Sequence, residues 1–177
     1  GCIITDVCGV KRYMEKELDA FLYKKGMYYV GGHPMTGKEN SGFNYSDGKI
    51  FNGANYILTL SKFTDKNAFD IVNDIIISFG CNVIVTDSVS HDKIIAYTSQ
   101  LAHIVSSSYV KSPTIEFEKG FTGGSFQDMT RVALLNEEMW ADLFLLNKDN
   151  LTKEIKNIIQ QLKNCLDAIE NGDKTAL

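Results

Sequence analysis

Apolar residues recur along the chain in short blocks whose spacing switches between strand and helix. Residues 2–7 form an apolar run of strand length. From 10 to 24, Tyr13, Met14, Leu18, Phe21 and Leu22 fall at helical spacing. Residues 27–30 make a second short strand. The stretch 31–53, rich in Gly, Asn and Ser, predicts a loop long enough to be functional. A strand is expected over 56–60. Thr64 is the expected N-cap of a helix carrying Ala68, Val72, Ile75, Ile76 and Phe79, with Gly80 at its end. Residues 82–86 form the next strand. This alternation predicts parallel α/β layering.

After Asp87 no further strand is expected. Residues 91–110 predict one long helix, and 125–135 and 137–147 two more. Leu151, Ile155, Ile158, Ile159, Leu162, Leu166 and Ile169 then mark an amphipathic final helix closed by Asn171 and Gly172. The pattern divides the chain near residue 88 into an α/β part (1–88) and an all-helical part (89–177). The last helix carries more apolar face than a lone helical cap needs, which predicts a homodimer, two-fold symmetric as most are.

The composition is that of a soluble globular protein, 44% hydrophobic and 23% charged, with a formal net charge of -4. No basic run suggests nucleic acid. No apolar stretch approaches the roughly 20 residues of a membrane span, and no signal-peptide pattern opens the chain. Cys2, Cys8, Cys81 and Cys165 are scattered and read as reduced thiols in a cytoplasmic protein. Gly1-Cys2-Ile3-Ile4 opens as a strand already under way, so the chain is expected to be cut upstream.

Four clusters can carry chemistry. Thr5-Asp6-Val7-Cys8-Gly9-Val10-Lys11 lies where a strand end turns into a helix, the place where ligands gather in open α/β sheets; its bland reading is a connecting turn. Residues 31–42 again follow a strand. There His33, fixed by Pro34 and loosened by Gly31 and Gly32, suits a positioned acid/base group, or is a surface histidine. In residues 91–103, Ser99 and His103 are spaced i, i+4 at the margin of an apolar helix face. They line a ligand cleft or find local hydrogen bonds inside a buried helix. In residues 123–133 a glycine pair opens a helix in which Arg131 offers a fork for a carboxylate, or pairs with Asp128. The three histidines lack metal-ligand spacing, so no metal site is expected. No G-x-G-x-x-G or Walker A loop occurs.

Taken in order, these clusters resemble the prephenate dehydrogenase family. The resemblance rests on Thr5-Asp6 with Lys11, on His33-Pro34-Met35 with Gly37, Glu39, Ser41 and Gly42, and on His91-Asp92 with Ala96, Ser99, Leu101 and His103. It continues through Gly123-Gly124 with Asp128, Thr130, Arg131 and Ala133, then Met139-Trp140, Asp142 and Asn147. It spans residues 3–147. It implies a Rossmann-type domain, its dinucleotide fingerprint lying upstream of this chain, followed by an all-helical dimerisation domain. It also implies NAD or NADP as cofactor and prephenate or arogenate as substrate. The implied reaction is oxidative decarboxylation: a hydride leaves the carbon bearing the ring hydroxyl and the ring carboxylate departs as carbon dioxide. His33 would take the hydroxyl proton, Arg131 would hold a substrate carboxylate, and Ser99 and His103 would line the pocket. Gly37 and Glu39 would shape the loop over it, and Thr5 and Asp6 would face the cofactor.

The chain departs from the family pattern where a motif serine is Gly9 and where a His and a Pro are replaced by Gln100 and Ala102. Without that serine, His33 is expected to depend on solvent or Ser99 for its orientation. A non-catalytic dimerisation or regulatory module of the same fold is the alternative. The joint presence of His33, Ser99, His103 and Arg131 argues against it.

Overall fold

The computed structural model describes residues 1–37 and 42–177. The first half builds a four-stranded sheet in the order β1 (Ile3–Thr5), β2 (Tyr28–Pro34), β3 (Asn55–Leu60) and β4 (Asn82–Asp87). Helix α1, over 12–24, joins β1 to β2. Helix α2 (Lys66–Ser78) joins β3 to β4. β1 and β2 are parallel, as are β3 and β4, but β2 and β3 run antiparallel, with His33 opposite Ile57. The sheet is therefore mixed rather than wholly parallel. A βαβ crossover forces parallel strands, and the segment between β2 and β3 carries only short 3-10 turns, Phe43–Tyr45 and Gly48–Phe51, among its described residues.

β2 also runs through Gly31 and Gly32 to Pro34, where a loop was expected. The two glycines are buried and serve close packing, not looseness. A Cβ on Gly31 would strike Thr59 Oγ1, and one on Gly32 would lie 2.5 Å from the Asp6 carbonyl oxygen. With no side chains, they hide the strand from any reading of hydrophobic spacing.

α2 turns Ala68, Val72 and Ile76 onto Val30, Tyr56, Leu58 and Cys81, and this cluster is the core of the α/β half. Complete burial of each large aliphatic side chain contributes about 1.5–3 kcal/mol. Its cap is Asp65, whose Oδ1 accepts from Ala68 N–H at 2.9 Å, and not Thr64, whose Oγ1 instead accepts from Ser61 N–H. Gly80 closes the helix at φ 82° as expected. All four cysteines are free thiols.

The second half is helical. Helix α3, over 88–109, starts directly after β4, one turn earlier than the apolar spacing suggested. Asp87 caps it by accepting from Val89 and Ser90 N–H at 2.9 and 2.8 Å. Its centre, Ala96–Leu101, is a π turn. Helix α4 (Gly124–Thr130) is shorter than the 125–135 expected. Helices α5 (Glu137–Leu146) and α6 (Lys148–Glu170) follow, separated by Asn147 alone. The two halves are tied by Asp92 of α3. Its carboxylate accepts from Lys11 N–H at 2.7 Å and from Arg12 N–H at 3.0 Å, capping α1 from about 80 residues away.

Candidate active-site cleft

The turn after β1 is held by Asp6. Its Oδ1 accepts from Cys8 N–H at 2.8 Å and from the buried Lys11 ammonium. Its Oδ2 accepts from the Tyr29 hydroxyl at 2.6 Å and from Gly32 N–H at 3.3 Å. Burial alone would raise the Asp6 carboxyl, but Lys11, Tyr29 and the Cys8 amide outweigh it and hold it below the ordinary carboxylate range. Burial, then Asp6, pushes the Cys8 thiol up. A carboxylate offers about four acceptor positions, and four donors occupy those of Asp6. What this side chain does here is lock the turn that delivers Gly9.

Gly9 faces His33. A Cβ at position 9 would lie 3.9 Å from His33 Nε2 and 3.4 Å from Leu143 Cδ2. His33 stands at the end of β2, half-buried, with Nδ1 hydrogen-bonded to His91 Nε2 at 2.8 Å. His91 in turn shares a 2.7 Å hydrogen bond through Nδ1 with Asp92 Oδ1. The orienting contact of His33 is thus His91, not solvent or Ser99. Burial first, then His91 and Lys11, pushes the His33 imidazole down to about 4. His33 is therefore neutral at ordinary pH, with Nε2 on the Gly9 side of the ring.

The opposite wall comes from α3 and α5. The π turn adds a residue to one turn of α3, and such bulges recur at functional sites. Ser99, Gln100 and His103 all line the same cleft. His103 Nδ1 donates to the Ser99 carbonyl at 2.9 Å, and Trp140 stacks on the His103 ring with centroids 3.7 Å apart. Gln100 Nε2 donates to the Leu143 carbonyl at 3.0 Å, while Asn147 Nδ2 donates to Gln100 Oε1 and to the Asp92 carbonyl, each at 2.8 Å. The cleft encloses about 520 Å³, within the range that holds small molecules, and Val7, Met35, Gly37 and Ile95 complete it with Leu143.

Of the residues singled out in the sequence, His33, Ser99, His103 and Gly37 meet in this cleft. Thr5 is exposed at the end of β1, and Arg131 is exposed at the end of α4, outside the cleft lining. Glu39 lies outside the described residues. His91, Asp92, Gln100 and Trp140 were in view within motifs, and Leu143 only within an expected helix, and none carried a spacing signal that assigned it a place. A second cavity, about 640 Å³, lies between the end of α3 and α4. It is lined by Tyr109, Phe117, Glu118, Phe121 and Phe126 among others, and no histidine stands in its lining.

Comparison with known proteins follows the same division. Residues 1–85 match the family described as prephenate dehydrogenase, nucleotide-binding domain, and residues 87–177 match prephenate dehydrogenase, dimerization domain. The chain is 30% identical over 176 residues to prephenate dehydrogenase of Bacillus subtilis, covering 97% of this chain and 47% of that protein. It is 29% identical over 178 residues to cyclohexadienyl dehydrogenase of Zymomonas mobilis, covering 97% and 60%. The crystal structure of A. aeolicus prephenate dehydrogenase in complex with hydroxyphenyl propionate and NAD+ superposes with a TM-score of 0.86. The identity is 32%, and the match covers 98% of this chain and 61% of that one. Synechocystis arogenate dehydrogenase shares the fold, with a TM-score of 0.81 at 23% identity over 97% and 63%. The chain spans about half the length of the curated relatives it matches.

Proposed function

The chain belongs to the prephenate dehydrogenase family, and from that premise we propose that the protein catalyses the NAD(P)-dependent oxidative decarboxylation of prephenate to 4-hydroxyphenylpyruvate in tyrosine biosynthesis. The observation that carries this is a neutral imidazole, His33, with Nε2 at an apolar and aromatic cleft the size of a small ring substrate. Arogenate, which differs in the side chain away from the ring hydroxyl, is the alternative substrate. A module that kept the fold without chemistry would have no need of a desolvated base beside Ser99 and the stacked His103–Trp140 pair.

The cofactor fit is partial. Val7, 66% exposed at the carboxyl end of β1, and the bare Gly9 line the cleft with apolar surface, against which a nicotinamide ring would lie. The sequence holds no glycine-rich turn of the kind that cradles a pyrophosphate. Thr5 and Val7 would touch the ring end. When bound there, the nicotinamide supplies the acceptor for the hydride. In this reading His33 Nε2 accepts the ring hydroxyl proton as the carbon–hydrogen bond breaks. The carbon–carboxylate bond then breaks, and its electron pair completes the aromatic ring. The proton held on His33 returns to the phenolate oxygen. Trp140 and Leu143 exclude water, and the Ser99 hydroxyl and His103 Nε2 orient the ring substituents.

We place the division between the two parts near residue 88, and the protein as a homodimer in the cytoplasm. No described helix is long and apolar enough to cross a membrane. Spectrophotometric assay of the full-length protein should show NAD(P)H formation with prephenate, and more slowly or not at all with arogenate. Absence of turnover with both would defeat the reading. Arg131→Lys tests a carboxylate contact in the same assay. Loss of a charge-assisted hydrogen bond would raise KM roughly tenfold or more, whereas unchanged constants would leave Arg131 a structural residue at the end of α4.

A further inference from the structure

A base works only from the nitrogen that lacks a proton, and the contacts around His33 decide which nitrogen that is. Asp92 is buried and caps the first amides of α1 through both oxygens. A carboxylate has only acceptors to offer. The nitrogen of His91 that faces it, Nδ1 at 2.7 Å, must therefore be the donor. His91 Nε2 is left with its lone pair. The atom facing that lone pair at 2.8 Å is His33 Nδ1, which must donate in turn. The lone pair of His33 then falls on Nε2, the nitrogen turned to Gly9 and the cleft. Reversing the chain would set the His91 Nδ1 lone pair against a carboxylate oxygen in a buried site, an acceptor facing an acceptor.

We propose that Asp92 and His91 are positioning residues that hold His33 in the Nδ1–H tautomer, with Nε2 free to accept the substrate proton. The inference rests on the proposed role of His33 and adds to it the two residues that set its proton. It also accounts for Gly9. A side chain at position 9 would approach Nε2, on the working edge of the ring, whereas the orienting contact lies on the other edge. The same carboxylate caps α1, whose start follows directly on the Cys8–Gly9 turn, so the turn, the cap and the base form one unit. Asp92 and His91 belong to the first turns of α3, and His33 to β2. The base is therefore prepared only where the two halves of the chain meet.

The first test needs no variant. Nitrogen-15 NMR of the imidazoles near neutral pH should show His33 protonated at Nδ1 with a lone pair at Nε2, and His91 likewise. A proton on His33 Nε2, or a doubly protonated His91, overturns the proposal. The second test is kinetic, in the full-length protein. His91→Leu fills the site but cannot accept from His33 and should lower kcat roughly tenfold to a thousandfold, with KM within about threefold. His91→Gln retains an acceptor and should restore most of the loss. A folded His91→Leu with unchanged kcat sinks the positioning role and leaves the function of His33 standing. If His33→Asn is also silent in that assay, the proton-acceptor reading itself falls, and this inference with it.

Discussion

Burial acts on His33 before any neighbour does, because an imidazolium loses more on leaving water than an imidazole. The charge of Lys11, and any charge that His91 itself takes up in acid, oppose it further, and the pull of Asp6 and Asp92 does not offset them, so the ring is pushed down to about 4. Two consequences follow at this single residue. Turnover should hold as pH falls through 6, with its acid limb nearer 4 than the 6.5 of a free histidine. His33→Asn should remove that limb and lower turnover by about 10²–10⁴, the usual contribution of a positioned base, with KM little changed. Stability carries the same signature. The folded pKa lies below the unfolded one, so the unfolded chain binds the extra proton between them, and stability falls as pH drops from about 6.5 to about 4. Melting temperatures of the protein and of His33→Asn should diverge across that window. Parallel curves would mean that the ring is better hydrated than its placement in the cleft implies. His33, Ser99 and His103 could be picked out in the sequence because each stands in a recognisable local pattern. The roles of His91 and Asp92 could not, because they depend on contacts 58 and 81 residues away along the chain.

At the scale of elements, periodicity located every strand and most helices, and failed where side-chain pattern and backbone part company. The last residues of β2 are two glycines, a histidine and a proline, which carry no alternation to read. The antiparallel pairing of β2 with β3 follows from a helix-free connection among the described residues, and a run of Gly, Asn and Ser does not announce direction. The π turn in α3 is equally silent, since one extra residue per turn shifts which positions share a face without altering composition. What holds that turn against α5 and α6 is Asn147. Its side-chain amide donates to both the Asp92 carbonyl and Gln100 Oε1. Asn147→Ala leaves Gln100 Oε1 buried without that partner, at a cost of about 1–3 kcal/mol. For a chain of this length that is roughly 2–4 °C in Tm per kcal/mol. Asn147→Asp should cost more at neutral pH, because it aims a carboxylate oxygen at two acceptors. Thermal melts should rank the original protein above Ala and Ala above Asp. An Asp variant as stable as the original would show that the amide donors do no work there.

At the scale of the whole molecule, the last helix presents an apolar stripe that a single copy does not cover. α6 turns Leu151 and Ala168 inward, but Ile159, Leu162, Leu166 and Ile169 remain 45, 62, 53 and 64% exposed. Their spacing of three, four and three residues puts them on one stripe of the helix. Apolar surface gains about 25 cal/mol per Å² on leaving water, and a stable interface buries at least about 1,000 Å² in total. Four large aliphatics on one rod, doubled by a two-fold axis, supply the apolar centre of such an interface. Light scattering at micromolar concentration should therefore give twice the 19.8 kDa of one chain. Leu162→Glu with Leu166→Glu should give single chains with the helical circular dichroism intact, because neither residue is buried in the fold. A monomeric original protein would refute the dimer. The double variant also separates assembly from the preparation of the base. His33, His91, Asp92 and the start of α1 all come from one chain, so the His33 tautomer should be unchanged in the monomer. If dissociation instead altered the nitrogen signals of His33, the partner would have to hold α3 and α1 together, and the cleft would be a property of the pair.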